Sequence, residues 1–312
     1  MVPSDPPHIA ILLCTYQGAL FLPAQLDSFA TQTRQDWAVW ASDDGSADGT
    51  LELLEQYRQR WGSQRLTLVS GPRRGITANF ISLLCRQDIR ARAYACADQD
   101  DIWEPEKLAR ASRWIDQVDA AVPALYCSRT RLIDATGHET GMSPLFLRPP
   151  SFAAALAQNI AGGNTMVVNE AARQLVVRAA AAGAEPVLYD WWIYLVVTAC
   201  GGRVYYDPVS TLRYRQHGQN EIGANTRLSD RADNAVAMLR GRVRRWNDTN
   251  LAALDRIADL ITPGNRRLLD TFRDARTRGV AGRVTGLYRS GVRRQTFVGN
   301  VGLFVAAAAG RI

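Results

Sequence analysis

Residues 98–101 read Asp98-Gln99-Asp100-Asp101, three carboxylates in four positions, directly after the apolar run Tyr94-Ala95-Cys96-Ala97. Carboxylates packed this tightly raise one another's pKa, by roughly 1–3 units in close pairs, unless a cation shares the site. At the tip of a β-strand, side-chain alternation points Asp98 and Asp100 the same way, toward whatever lies beyond the strand. One or two carboxylates completed by substrate phosphates are a common way of holding Mg²⁺ or Mn²⁺. The competing reading is an acidic turn that caps a helix starting near Pro105.

The elements that must position this quartet alternate between apolar strand-like runs and helical patterns, the mark of a parallel α/β layout. Strands are predicted at 8–14, 37–41, 66–69 and 93–97, with helices at 22–31, 48–61, 76–88 and 105–118. In open α/β sheets, ligands bind where the loops after the strands converge. Three of these strand ends carry Thr15-Tyr16, Asp43-Asp44 and the quartet, a polar and acidic rim assembled from distant segments. Neither GxGxxG nor GxxxxGK[ST] occurs, which argues against hydride-transfer Rossmann enzymes and P-loop ATPases. Beyond Pro123 strands are predicted at 125–133, 160–169, 204–206 and 209–214, and an apolar helix from Tyr189 to about Cys200. Gly162-Gly163 would let backbone approach a ligand closely.

Charge is distributed unevenly. Residues 227–312 contain 17 Arg against 7 Asp and no Lys or Glu, so the remainder of a chain with net charge +7 is slightly acidic. Such a basic region suits an anionic partner. Its stretch from Val236 to Trp246 mixes apolar residues with Arg, as an interfacial helix on anionic lipid does. The alternative is a solvated helical bundle packed on the rest of the chain. No nucleic-acid motif or aromatic stacking platform is present, and the apolar run 297–309 is too short to span a bilayer. Five scattered Cys without CxxC spacing point to reduced thiols in the cytosol. The N-terminus reads as lacking a secretion signal.

Taken in order, ILLCTYQG, SDDGSADGT, ADQDDIWEPEK, GGNTM, DWW and YRQHG resemble family 2 glycosyltransferases of the GT-A fold. Within that family they look most like bacterial rhamnosyltransferases of O-antigen and surface-polysaccharide assembly. The resemblance covers about residues 8–222 and implies a mixed, mostly parallel sheet flanked by helices in a catalytic domain of residues 1–226. A helical basic region, 227–312, would follow. It implies that Thr15 and Tyr16 line a nucleotide base, and that Asp43 or Asp44 accepts a hydrogen bond from a pyrimidine N–H. Asp98 would contact the ribose and Asp100 would hold Mn²⁺ or Mg²⁺, with His217 as a late ligand. Asp101 is left as a further ligand or a helix cap. Arg213 or Arg215 could pair with the diphosphate, and Asn79 sits where relatives often approach the nucleotide.

On the acceptor or sugar side the resemblance implies Gly163, Asn164, Trp191 and Trp192, with Asp190 as general base of a single inverting displacement. Gln17 departs from the family's usual Asn. The expected donor is dTDP-L-rhamnose, with another UDP- or dTDP-sugar as the alternative. The expected acceptor is a polyprenyl-diphosphate-linked glycan at the inner face of the cytoplasmic membrane. From other classes, a nucleotidyltransferase would need a Gly-rich, Lys-bearing loop near the N-terminus, yet Lys107 is the only Lys in the chain. A non-catalytic glycan- or lipid-binding module would have no use for Asp190 beside the full quartet.

Overall fold

The computed structural model describes residues 8–218 and 242–312. The expected boundary at 226/227, and most of the 236–246 stretch, lie outside them. The first half delivers β1 (Ile9–Thr15), α1 (Leu22–Ala30), β2 (Trp37–Asp43), α2 (Thr50–Trp61), β3 (Leu66–Ser70), α3 (Ile76–Cys85) and β4 (Ala93–Ala97). Every residue of β1 is buried, as a central strand with both faces covered by helices requires. Thr15 pairs with Asp43, Asp43 with Ser70, and Leu13 with Ala97, so β1, β2, β3 and β4 end on one edge.

After β5 (Ile102–Trp103) and α4 (Lys107–Ile115), the chain departs from the expected rhythm. The run 125–133 is not one strand. It divides into β6 (Ala124–Ser128) and β7 (Arg131–Ile133), which belong to different sheets, with β8 (Glu139–Met142) following in the second. The run 160–169 likewise yields only β9 (Val167–Asn169), preceded by α5 (Phe152–Ala155) and a 3₁₀ turn, Gly163–Thr165. A helix not anticipated, α6 (Glu170–Ala181), follows, with the Asn169 side chain capping it by accepting from the Ala172 amide. Then come α7 (Tyr189–Ala199), β10 (Arg203–Asp207) and β11 (Leu212–Arg215).

The main sheet has the order β10-β6-β9-β4-β1-β2-β3 and is parallel except for β9, which runs antiparallel to both neighbours. That reversal brings the 3₁₀ turn beside the tip of β4, where Cys96 N donates to Met166 O at 3.0 Å. A small sheet of order β5-β11-β7-β8 pairs Leu212 with Trp103 and so carries the end of β11 to the same tip.

The C-terminal region forms α8 (Arg242–Asp255), α9 (Pro263–Thr277), α10 (Val280–Ser290) and α11 (Phe297–Ala308). It shares one continuous apolar core with the sheet, in which Leu254, Phe272, Leu287 and Leu303 join Phe80, Trp192 and Val196. Much of its basic charge is engaged internally. Arg273, Arg276 and Arg278 pair with Asp255, Asp248 and Asp274, and Arg283 donates to the carbonyls of Ala307 and Ala308 at the end of α11. Among the described residues no helix is long and apolar enough to cross a membrane.

Candidate active site

The strand ends open into one cleft of about 2330 Å³, lined by Tyr16, Asp44, Asp98, Asp100, Asp190 and His217 among others. Asp43 turns inward. Its Oδ2 accepts from Thr15 Oγ1 at 2.9 Å and Ser46 Oγ at 2.6 Å, and its Oδ1 from the amides of Gly45 and Ser46. Those four bonds fill the acceptor capacity of a carboxylate. Asp44 accepts two among the described residues, from the amides of Arg73 (2.6 Å) and Gly75 (2.8 Å), which fasten the loop after β3 over the cleft. Asn79 is 1 % exposed. Its amide bonds Ser42 through both ends, which makes it a brace under β2 even though it reaches the cleft wall.

Tyr16 is 58 % exposed at the rim. Its backbone is clasped by the Gln99 side chain, which accepts from Tyr16 N at 2.8 Å and donates to Tyr16 O at 2.9 Å. Gly18 permits that clasp, since a Cβ there would lie 2.1 Å from Gln99 Oε1. Gln17, at a φ of 50°, braces the neighbouring loop by donating from its amide to Ser46 Oγ and accepting from Ala47 N.

Around the acidic quartet, His217 Nε2 lies 2.7 Å from Asp100 Oδ2, and the imidazole packs on Phe21 at 4.8 Å between ring centroids. Asp101 is neither a further ligand nor a cap. It is fully buried, with Oδ2 accepting from Asn164 Nδ2 at 2.6 Å and Oδ1 from Arg215 N at 3.2 Å. Burial, and then the charges of Asp100 and Asp98, push its carboxyl well above the usual range. Lys107 lies buried nearby with Nζ donating to Asn164 O at 3.0 Å, and burial pulls its ammonium down to about 7. Asp101 therefore ties three segments together: the tip of β4, the 3₁₀ turn and β11.

Arg215 does not point at a diphosphate. It is 5 % exposed, its guanidinium donates to the carbonyls of Asp100 and Ala135, and it stacks over Phe21. Arg213 pairs with Glu104 instead.

Asp190 opens α7. Its Oδ1 accepts from Trp191 N at 2.6 Å and its Oδ2 from Gly163 N at 3.2 Å. Burial raises its carboxyl to about 6, against the opposing hydrogen bonds of Trp191, Gly163 and the Asn159 side chain. Tyr189 stacks on Phe80 at 3.9 Å and places its hydroxyl 3.5 Å from Asp98 Oδ1. Gly163 is required by this ring, because a Cβ there would lie 2.0 Å from the Tyr189 hydroxyl. Its close approach is thus to Tyr189. We expect Gly163→Ala to displace Tyr189 and the amide that holds Asp190, destabilising the protein by about 1–3 kcal/mol. Thermal melting checks this, with a lowered midpoint expected.

The two tryptophans separate. Trp191 lines the cleft, donates from Nε1 to Ala155 O at 2.7 Å, and meets Trp246 edge-on. Trp192 is 1 % exposed in the core and offers no face to a sugar. Asn164 reaches the cleft wall, but its amide nitrogen is bound to Asp101.

Sequence reading missed Gln99, Asn159 and Tyr189, which position other groups, and Arg129 and Arg294, which line the cleft. Tyr189 and Asn159 adjoin quoted motifs and could have been found there. Arg294 could not, because it comes from the C-terminal region. Among the described residues no cluster of three or more His, Cys, Asp or Glu could hold a metal. Asp100 and His217 make a two-ligand set of the kind that substrate oxygens complete.

Residues 10–172, more than half of the chain, match the family described as Glycosyl transferase family 2. A dTDP-rhamnosyl transferase, RfbG of Shigella flexneri, is 28% identical over 225 residues, covering 68% of this chain and 74% of that protein. The mannosyltransferase PcManGT of Pyrobaculum calidifontis, solved with GDP-Man and Mn²⁺, superposes with a TM-score of 0.52 at 17% identity, covering 98% of this chain and 87% of that one. S. aureus TarS 1-349 with UDP-GlcNAc gives 0.52 at 13% identity, covering 97% and 88%.

Proposed function

The chain belongs to glycosyl transferase family 2 and has the GT-A fold, and from that premise we propose an inverting, metal-dependent transferase. It moves L-rhamnose from dTDP-L-rhamnose onto a lipid-linked glycan. The observation that carries this reading is the convergence of the Asp100–His217 pair and the raised carboxyl of Asp190 on one cleft. The likeness to a dTDP-rhamnosyl transferase supports the donor.

Asp44, with acceptor capacity left, takes the pyrimidine N–H, while Asp43 and Thr15 hold the loop that presents it. Tyr16 offers its exposed ring to the base, and Asp98 takes a ribose hydroxyl. Asp100 and His217 would hold the ion, and a carboxylate–imidazole set suits Mn²⁺ better than Mg²⁺. When bound, the ion stabilises the departing diphosphate as a Lewis acid, worth several kcal/mol. Asp190 takes the proton of the acceptor hydroxyl as its oxygen attacks the anomeric carbon. The bond to the diphosphate breaks on the opposite face, and its electron pair leaves with the diphosphate.

The reading places the protein peripherally on the inner face of the cytoplasmic membrane, with an anionic lipid surface as partner. Helix α11 supports this by exposing Phe297, Val298, Val301 and Val305 as one apolar stripe, with Arg289, Arg293 and Arg311 exposed in neighbouring segments. Flotation with vesicles rich in phosphatidylglycerol should recover the protein, and Val301→Asp with Val305→Asp should leave it in the dense fraction.

The function itself is tested by incubating the enzyme with Mn²⁺, lipid-linked glycans extracted from bacterial membranes, and a panel of dTDP-, UDP- and GDP-sugars. The expected result is release of dTDP from dTDP-L-rhamnose and a product of inverted anomeric configuration. Absence of nucleoside diphosphate release from every donor would sink the proposal.

A further inference from the structure

Arg294 is a half-buried cation in the cleft wall with no carboxylate in ion-pair contact among the described residues. Its guanidinium donates from Nε to Gln158 Oε1 at 3.1 Å, which leaves the two terminal guanidinium nitrogens with no acceptor among the described residues. Burial alone shifts its pKa, downward, and no neighbouring acid offsets it. Partial burial of a cation without a partner is unfavourable, whereas Arg273, Arg276, Arg278 and Arg283 in the same region have carboxylates or carbonyls.

Its position is informative. Gln158, which holds Arg294, is followed by Asn159, whose side chain bonds the Asp190 carboxylate. Arg294 therefore lies across a two-residue step from the group that deprotonates the acceptor. A second cleft arginine, Arg129, donates to Ser143 O and has no carboxylate in ion-pair contact among the described residues either. Exposed apolar side chains adjoin other residues that line the cleft. Leu145 and Leu147 flank the cleft residue Phe146, and Phe297 and Val298 precede the cleft residue Gly299.

Resting on the glycosyltransferase reading above, we propose that Arg294, assisted by Arg129, forms a subsite for the phosphate or diphosphate ester of the acceptor. The guanidinium fork suits phosphate oxygens bidentately. The flanking apolar side chains provide a path for a prenyl chain leaving the cleft. The basic C-terminal region thereby contributes to acceptor selection as well as to the core.

The test titrates farnesyl diphosphate into the full chain in EDTA, where the Asp100–His217 site cannot take it through a metal. Farnesol and inorganic pyrophosphate serve as paired probes. Arg294→Gln should weaken farnesyl diphosphate at least tenfold and leave farnesol unchanged, with Arg294→Lys intermediate. Pyrophosphate weakened in proportion assigns the subsite to the headgroup alone, and pyrophosphate that fails to bind assigns it to a phosphate carried on lipid. Both support the proposal. Removal of an unpaired cation should leave the melting temperature of Arg294→Gln unchanged or higher. Unchanged farnesyl diphosphate affinity, equal loss for farnesol, or a lowered melting temperature with affinity retained would each overturn it. Mn²⁺-dependent nucleotide-sugar binding, measured on the same samples, separates the two readings. Its loss in the unmodified protein defeats the transferase assignment, whereas its retention beside an inert Arg294→Gln defeats only the subsite.

Discussion

Asp190→Asn lowers kcat by about 10²–10⁴-fold, the usual contribution of a positioned general base, and at the same time stabilises the protein at neutral pH. The two effects share one cause. Burial raises the carboxyl from 3.8 to about 6, so the ionised form that accepts a proton is the form the fold disfavours. A group raised in the folded state contributes stability that is fully present below its unfolded pKa and is lost as pH rises through about 6. At pH 7.5 the charged carboxylate therefore costs roughly 3 kcal/mol. Asn removes that burden but can accept from only one of the Trp191 and Gly163 amides. The net gain should be about 1–2 kcal/mol, a rise in Tm of about 2–6 °C, disappearing below pH 4. In the unmodified enzyme kcat should fall as pH drops through about 6. A variant that loses activity and stability together would mark Asp190 as structural.

Asp100→Ala should cost about 10³-fold or more in kcat/KM, because it removes the carboxylate proposed to hold the ion and with it stabilisation worth several kcal/mol. The side chain is half-buried and its carboxylate bonds the His217 imidazole, so the fold should survive. The diagnostic feature is loss of the Mn²⁺ dependence of nucleotide-sugar binding. His217→Ala should weaken that dependence without abolishing it, since a neutral ligand contributes less than a charged one. Circular dichroism and titration with Mn²⁺ together check this. Asp101→Asn serves as a contrast: its carboxyl bonds Asn164 and Arg215 away from the cleft, so the substitution should leave Mn²⁺ affinity in place.

The strand ends that build the cleft were legible because buried parallel strands are nearly continuous apolar runs and their last residues switch abruptly to acids, as at Ala97-Asp98 and Ser42-Asp43. The division of 125–133 between two sheets was not legible, since Ser128-Arg129-Thr130 looks locally like polar positions of one strand. Helix α6 was overlooked because Ala179 to Ala182 reads as low complexity, although Asn169 before Glu170 is an N-cap signal. Trp191 and Trp192 are adjacent on a helix and so point about 100° apart. One reaches the cleft and the other the core, which sequence alone does not assign. Arg215 and His217 belong to one motif, yet His217 meets the Asp100 carboxylate and Arg215 the Asp100 carbonyl, because Arg215 is still held within β11. Arg294 was hidden by its company. One half-buried cation among the 17 arginines of residues 227–312 leaves no periodic trace.

The central claim is that this cleft binds a nucleotide-diphosphate sugar through an ion held by Asp100 and His217. Isothermal titration of dTDP-L-rhamnose, UDP-glucose and GDP-mannose, with Mn²⁺ and again in EDTA, tests it most directly. The account predicts binding of dTDP-L-rhamnose with Mn²⁺, loss of that binding in EDTA, and the same loss in Asp100→Ala. Binding of equal strength in EDTA, or heats indistinguishable from buffer for all three nucleotide sugars, would contradict it.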